Sequence, residues 1–261
     1  ASHVADQLTT ASYTDTDALQ RFAETVDVIT YEFENIPTSA LDVLEQVVTI
    51  RPGREALRIS QDRLTEKDFL NSLGLKTAPY AAIDDAPALG AALNAFGTAA
   101  ILKTRRFGYD GKGQVRLQPD SDPQAAVADL AGQAALLEGF VDFSHEVSVI
   151  GARGADGAVC CFDPGENVHS NGILCTTTLP ARLSAAQRMD AVLLTANILN
   201  ALDYVGVMGV ELFVTSEGLI VNEIAPRVHN SGHWTQNGCV VDQFEQHIRA
   251  IADWPLGDGT R

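Results

Sequence analysis

Long apolar runs are missing from this 261-residue chain. No stretch approaches the roughly 20 consecutive apolar residues of a membrane-crossing helix, and no signal-peptide pattern opens it. A soluble protein with a cytoplasmic location is the expectation. Cysteine is sparse: Cys160, Cys161, Cys175 and Cys239 show no C-x-x-C spacing, and an adjacent pair cannot staple a fold. Reduced, mostly buried thiols are expected. Positive charge is scarce as well, since 18 Lys and Arg face 34 Asp and Glu for a formal charge of -16. So acidic a chain excludes a general nucleic-acid binder, which needs a basic surface against phosphate. Several catalytic signatures are also missing. No H-E-x-x-H occurs, and His229 and His233 are separated by Asn230, Ser231 and Gly232, which do not suit a zinc-binding helix. No serine sits in a G-x-S-x-G elbow, so covalent acyl chemistry has no support.

What is present is ordinary in bulk and uneven in placement. The hydrophobic fraction of 46% can build a full core in one or two domains. Ten of the 18 basic residues fall in two stretches, Arg51, Arg54, Arg58, Arg63 and Lys67, then Lys103, Arg105, Arg106, Lys112 and Arg116. An acidic protein that concentrates its cations points to small-anion binding there, against the plainer alternative of two solvated faces.

In chain order, residues 15–26 predict a short helix, 27–33 a buried strand, and Thr38 the cap of a second helix. This alternation implies a parallel sheet. Two or three elements cannot close one, so the chain is expected to begin partway through a Rossmann-like unit. A helix over 55–73 ends at Gly74, 76–83 is extended, and a helix from about Pro87 runs to Phe96. Strands are predicted at 99–103, 115–117 and 134–140, a helix at 123–132, a hairpin over 145–150 and 158–162, and a long helix from Ser184 to Leu202. Residues 239–252 predict the last helix.

Two stretches carry the chemistry. In KTRRFGYDGKGQ, residues 103–114, glycines at 108, 111 and 113 let the backbone curl around a ligand. The stretch leads into a strand, so it is neither a Walker A loop nor a dinucleotide fingerprint, both of which lead into a helix. A glycine hairpin laid over phosphates is one reading and a surface turn the other; Lys103 and Lys112 at its ends favour the first. In GVELFVTSEGLIVNEIAPRVHNSGHW, residues 209–234, two alternating runs flank Ser216-Glu217-Gly218 and predict a hairpin. A three-residue loop pairs 211 with 223, 213 with 221 and 215 with 219, setting Glu211 opposite Glu223 beside Phe213 and Val221. Opposed like charges destabilise a sheet. A hard divalent cation carrying a phosphate would relieve them, unless the pair lies on a solvated edge.

These motifs, with YEFENIP (31–37), DRLTEK (62–67), EVSVIGARG (146–154) and YVGVMGVELFV (204–214), resemble the ATP-grasp superfamily. NEIAPRVHNSGHWTQNG (222–238) is similar to the purine-biosynthesis ligases among its members. The resemblance implies an α/β (α+β) fold in which a remnant of a Rossmann-like domain, 1–66, precedes a two-subdomain ATP-grasp core, 67–252, split near 137/138. Residues 253–261 would begin a C-terminal domain that is otherwise missing. The implied reaction uses ATP and bicarbonate, through carboxyphosphate, to carboxylate 5-aminoimidazole ribonucleotide. Glu211 and Glu223 would hold Mg2+, or Mn2+. Arg63, Lys103, Asn222, Glu223 and the loop Gly108, Tyr109, Asp110, Gly111, Lys112, Gly113 and Gln114 would meet the phosphates. Glu138, Gly139, Phe140 and Val141 match the adenine-reading strand exit, Glu146 the ribose contact, and His169 another nucleotide position. Tyr109, Asp110, Lys112, Arg227 and His229 match the positions that handle bicarbonate and the amine, with Asn230, Ser231 and His233 beside them. Lys112 departs from the family's usual arginine, which turns bidentate recognition into a single contact. The family implies a homodimer and small-molecule partners. Another ATP-grasp ligase, or a nucleotide-binding fragment without turnover, are the other readings.

Overall fold

A computed structural model describes residues 3–108, 113–130, 132–170 and 172–261. The N-terminal unit holds α1 (Thr16–Ala23), β1 (Val28–Ile29), α2 (Thr38–Leu44), β2 (Thr49–Ile50) and α3 (Arg54–Ser60). Asp15 caps α1 by accepting from Ala18 N. β1 and β2 pair in parallel, as the alternation implied, around a core of Ile29, Tyr31, Leu41 and Leu57. The strand expected over 27–33 is shorter, because only two residues find a ladder partner. Thr38 is the first helical residue and makes no capping bond.

The helix expected over 55–73 is two helices, α3 and α4 (Arg63–Ser72). Its break lies at Asp62, whose carboxylate accepts from Leu64 N at 2.9 Å and starts a new helix inside a continuous apolar pattern. That break points Arg63, Glu66 and Lys67 into the centre of the molecule. Gly74, at φ +74°, ends α4 as anticipated.

The next lobe is a four-stranded antiparallel sheet in the order β3-β6-β4-β5. Its strands are β3 (Tyr80–Ile83), β4 (Ala100–Thr104), β5 (Gln114–Leu117) and β6 (Ala135–Gly139), backed by α5 (Ala86–Phe96) and α6 (Pro123–Asp129). Along β4, Ala100, Leu102 and Thr104 are buried and Ile101 and Lys103 are not, the period-two alternation of a sheet with one covered face. Gly113, at φ +70°, tucks against Thr104; a Cβ there would stand 2.6 Å from Thr104 Oγ1. Glycine is required at this end of the hairpin loop.

The large lobe is a six-stranded sheet ordered β10-β9-β7-β11-β12, with β8 also on β7. Here β7 is His145–Arg153, β8 Val159–Cys161, β9 Gly165–Ser170, β10 Ile173–Thr178, β11 Gly206–Thr215 and β12 Gly218–Ala225. Helix α7 (Ala185–Ala201), opened by a Ser184–Gln187 capping box, covers the face carrying Val147, Val149, Met208, Val210 and Leu212. Alternation sends Glu146, Ser148, Gly209, Glu211 and Phe213 to the opposite face. A 3-10 turn at Asn230–Gly232, α8 (Thr235–Gly238) and α9 (Gln243–Ile251) follow, so the helix expected over 239–252 starts later, where Asp242 caps it. The β9–β10 hairpin was not anticipated: its polar GENVHS and ILCTTT runs lack a strong apolar alternation. Among the described residues no helix is long and apolar enough to cross a membrane. All four cysteines are free, but Cys175 is exposed on edge strand β10 and the others are half-buried, contrary to the expected mostly buried set.

Candidate active site

The β11–β12 hairpin sets the geometry. Glu211 pairs with Glu223, as expected, but the turn has two residues and Thr215 pairs with Gly218. The ladder then runs Phe213 with Ile220 and Leu212 with Val221, and a bulge at Asn222 restores Glu223 opposite Glu211. The expected 213–221 and 215–219 pairs are therefore wrong, and Val221 lies fully buried on the other face. An extra residue in one strand re-aims the side chains beyond it. Without the bulge Asn222 would oppose Glu211; with it both Asn222 and Glu223 reach the cleft, and Asn222 Nδ2 donates to Glu211 Oε2 at 3.4 Å.

Charge surrounds this pair. Arg63 Nη1 donates to Glu223 Oε2 at 3.1 Å. Lys103 Nζ meets Glu138 Oε2 at 2.7 Å, and Lys67 reaches Glu138 Oε1 at 3.4 Å and the Asn222 carbonyl at 3.1 Å. Lys67 thereby ties the bulge of one lobe to β6 of the other. Burial pushes the Glu211 carboxyl up, and Glu223 across the ladder adds to it. Glu223 is only half-buried, and Arg63 and Lys103 outweigh its desolvation and hold it well below the usual carboxylate range. One carboxylate is thus compensated by neighbouring cations, and the other is not. His169 pairs with Glu146, and that hydrogen bond raises its pKa. Arg227 Nε lies 2.9 Å from Glu34 Oε1, and His229 Nε2 lies 3.4 Å from Glu211 Oε1. Burial, then Arg227, lower the His229 imidazole to about 4, so it is neutral at physiological pH.

Arg63, Lys103, Gly108, Gln114, Glu146, His169, Glu211, Asn222, Glu223, Arg227, His229 and Asn230 line one cavity of about 450 Å³. Glu138 lies behind it, buried under the two lysines. Gly139 closes on Pro79, and Phe140 is half exposed at the strand exit with Arg116 over its ring at 4.7 Å. Val141 follows it there. Ser231 is buried beneath His229, and His233 stacks on Phe244 away from the cavity. Tyr109, Asp110, Gly111 and Lys112 lie outside the described residues. The two basic stretches turn out to be mostly structural. Arg54 pairs with Asp42, Arg58 with Glu55, Arg105 with Asp62, and Arg51 donates to the Ile251 carbonyl. Arg63, Lys67 and Lys103 reach the centre, and Arg105 lines the adjoining cleft with Glu34, Glu223 and Arg227.

Sequence reasoning missed four supports. Glu34 sits within the YEFEN motif, but nothing local marks it as the partner of Arg227. Lys67 was visible only as one cation in a cluster. Gln243 is fully buried and grips the His229 backbone, accepting from its N–H at 2.9 Å and donating to its carbonyl at 2.8 Å. Gly209 makes room for that loop: a Cβ would stand 2.9 Å from His229 Cβ. Gly209→Ala is expected to cost about 1–3 kcal/mol by overpacking and to lower turnover, as read by urea unfolding and initial rates. Unchanged values would show that the His229 loop yields freely.

Glu66 adds a pH dependence. Its buried carboxyl accepts from Ile224 N at 2.7 Å and is pushed up to about 8 by burial, then by Glu223. A carboxyl raised in the folded state stabilises it at low pH, and that contribution is lost as pH rises toward 8. His229 and His247, each lowered to about 4 by burial, act in the opposite sense, but only up to the ordinary histidine value of 6.5. From pH 6.5 to 8 the free protein should therefore lose about 2 kcal/mol of stability to Glu66, and a smaller amount to Glu211, whose carboxyl is raised to about 7. Urea titrations across that range would show the loss, and Glu66→Gln should remove most of it. An equal loss in the variant would contradict the assignment.

The chain is similar to known proteins in sequence and fold. Residues 68–244 match the model of the ATP-grasp domain, and residues 1–61 that of the ribonucleotide synthetase preATP-grasp domain. The N5-carboxyaminoimidazole ribonucleotide synthase of Brucella melitensis is 53% identical over 264 residues, covering 100% of this chain and 73% of that protein. The Staphylococcus aureus N5-carboxyaminoimidazole synthetase complexed with ADP superposes with a TM-score of 0.92 at 36% identity, over 98% of this chain and 68% of that one. The Aspergillus clavatus N5-carboxyaminoimidazole synthase in complex with ADP and 5-aminoimidazole ribonucleotide gives 0.90 at 30% identity, over 98% and 68%.

Proposed function

Because the chain belongs to the ATP-grasp N5-carboxyaminoimidazole ribonucleotide synthases, we infer that it carboxylates 5-aminoimidazole ribonucleotide at the expense of ATP, in purine biosynthesis. It is an ATP-dependent ligase that forms a C–N bond. The observation that carries the reading is Glu211 facing Glu223 in the same cavity as Arg63, Lys103, Arg227 and His229.

The donor set fits a hard divalent cation. Two carboxylates and the Asn222 amide oxygen are hard ligands on one wall, and the raised Glu211 carboxyl marks an uncompensated negative charge. Among the described residues no three His, Cys, Asp or Glu side chains form a metal site by themselves. A cation there would complete its shell with substrate phosphates, as Mg2+ commonly does. Glu211 and Glu223 would hold Mg2+ (Mn2+ is an alternative), and bound there it would neutralise charge on the phosphates during transfer.

The protein's own groups do the rest. Arg63 and Lys103 present fixed cations to the ATP phosphates, and Gly108, Gly113 and Gln114 bring the glycine hairpin over them. Covering the phosphates excludes water, which matters because carboxyphosphate hydrolyses readily. The 138–141 strand exit takes the adenine, with Glu146 and His169 at the ribose. Tyr109, Asp110 and Lys112 are assigned to bicarbonate and the amine. Arg227 and neutral His229 face the aminoimidazole nucleotide, Arg227 as the anion clamp. We assign 1–66 to the preceding α/β unit and 67–252 to the catalytic core, and the assembly as a homodimer.

The test is ADP release with bicarbonate and each candidate acceptor. Release that requires 5-aminoimidazole ribonucleotide, bicarbonate and Mg2+ is expected. Stimulation by glycinamide ribonucleotide and not by aminoimidazole ribonucleotide would overturn the reading.

A further inference from the structure

A buried file of polar side chains runs from His229 into the sheet, and the chemistry proposed for the cavity makes no use of it. Thr177 Oγ1 donates to Asn167 Oδ1 at 2.9 Å, and Asn167 Nδ2 donates to Ser148 Oγ at 3.0 Å. Ser148 then donates to Ser231 Oγ at 2.7 Å, and Ser231 Oγ lies 2.8 Å from His229 Nδ1. Asn167, Ser148 and Ser231 are 5%, 2% and 1% exposed. Nothing in such a position is solvated, so each polar atom must find its partner within the protein.

Proton counting gives the file a direction. A hydroxyl has one proton to donate. Ser148 spends its proton on Ser231, so Ser231 accepts there and its own proton is left for His229 Nδ1. A second donor confirms which role that nitrogen has: the backbone N–H of Ser231 also points at it, at 3.4 Å. A neutral imidazole whose Nδ1 accepts carries its proton on Nε2. That nitrogen faces Glu211 Oε1 at 3.4 Å. Gln243, holding the His229 N–H and carbonyl, keeps the backbone from compensating by rotation.

We propose that Asn167, Ser148 and Ser231 are positioning residues that fix His229 as its Nε2–H tautomer, so that the protonated nitrogen is the one beside Glu211. The opposite tautomer would place a ring lone pair, and not a proton, on the nitrogen 3.4 Å from the Glu211 carboxylate. Hydroxyls and an amide are needed here, since apolar residues of similar volume would fill the space but could not impose a direction. Only the catalytic consequence rests on the function proposed for the cavity; the tautomer does not.

The test uses the whole chain labelled with 15N-histidine, the His229 signals being assigned by their loss in His229→Gln. One- and two-bond 15N–1H correlations at pH 8 distinguish the tautomers. The wild type should show Nε2–H. Asn167→Asp replaces the donor to Ser148 by an acceptor, which reverses each hydroxyl and ends with His229 Nδ1–H donating to Ser231. Ser148→Ala is the smaller change and frees Ser231 to accept. The Nδ1–H fraction should rise several-fold in each folded variant, and ADP released per carboxylated product should rise with it. A wild-type Nδ1–H ring, or an unchanged Nε2–H pattern in both variants, overturns the proposal. A shifted tautomer with unchanged coupling upholds the positioning and instead removes His229 from the acceptor site.

Discussion

Glu223→Gln is expected to reduce 5-aminoimidazole-ribonucleotide-dependent ADP release by about a thousandfold, about 4 kcal/mol of transition-state stabilisation. The substitution is nearly isosteric and keeps an oxygen for Arg63, so the hairpin and its bulge should persist. What disappears is the carboxylate of the facing pair that its surroundings hold firmly ionised. Arg63 and Lys103 lower the wild-type group to about 2 despite its desolvation, so it is available to a cation at any working pH. Glu211 cannot replace it. Its carboxyl is raised by burial and by Glu223, and with glutamine opposite it would stand as the single carboxylate of the pair. Circular dichroism and thermal unfolding should match the wild type, while raising Mg2+ should not restore the rate. Full activity would refute the metal assignment.

Arg63→Met is expected to be the most damaging single substitution for the fold. The guanidinium is 3.1 Å from Glu223, and its own pKa is raised because Glu223, Glu66 and Glu138 together overcome its burial. Removing it leaves buried carboxylates facing one another with Lys67 and Lys103 as the remaining near cations. Breaking one side of a fully buried ion pair typically costs 3–5 kcal/mol; the Arg63 and Glu223 side chains are 22% and 39% exposed, so solvent screening reduces the expected loss to about 2 kcal/mol, or a fall of about 6 °C in a protein of this size. The sign with pH is fixed: the stranded carboxyls are tolerated when protonated, so the deficit should grow from pH 5 to pH 8. Mg2+ with ATP should recover part of it by replacing the lost charge. A loss below 1 kcal/mol, independent of pH, would mean that solvent already screens this pair.

Much of the fold was legible because helix and strand periods are local. The cap at Ser184, the stop at Gly74, the glycine hairpin and the antiparallel runs around it could be read residue by residue. Where two local signals competed, the reading failed. An apolar helical pattern ran through Asp62, and only the capping bonds at Leu64 and Thr65 reveal two helices. The β9–β10 hairpin bears no clear alternation because its strand edge is half solvated.

The site divides along the same line. The opposition of Glu211 and Glu223 follows from a turn signal and a period of two, so the sequence by itself determined that two carboxylates would confront each other and call for a cation. It also determined the glycine-rich loop and the cationic stretches. Tertiary structure decided which cations answer, and by what route. Arg63 and Lys67 enter because α4 begins at Asp62 and docks on β12, while Lys103 enters because β4 lies beside β6. The bulge at Asn222 brings its side chain and that of Glu223 to the same side, and Gln243 and Ser148 approach His229 from α9 and β7. Those contacts join residues up to 160 positions apart, and no local pattern encodes a separation of that length. Burial then sets the charges, lifting Glu66 and Glu211 and, with Arg63 and Lys103, pressing Glu223 down.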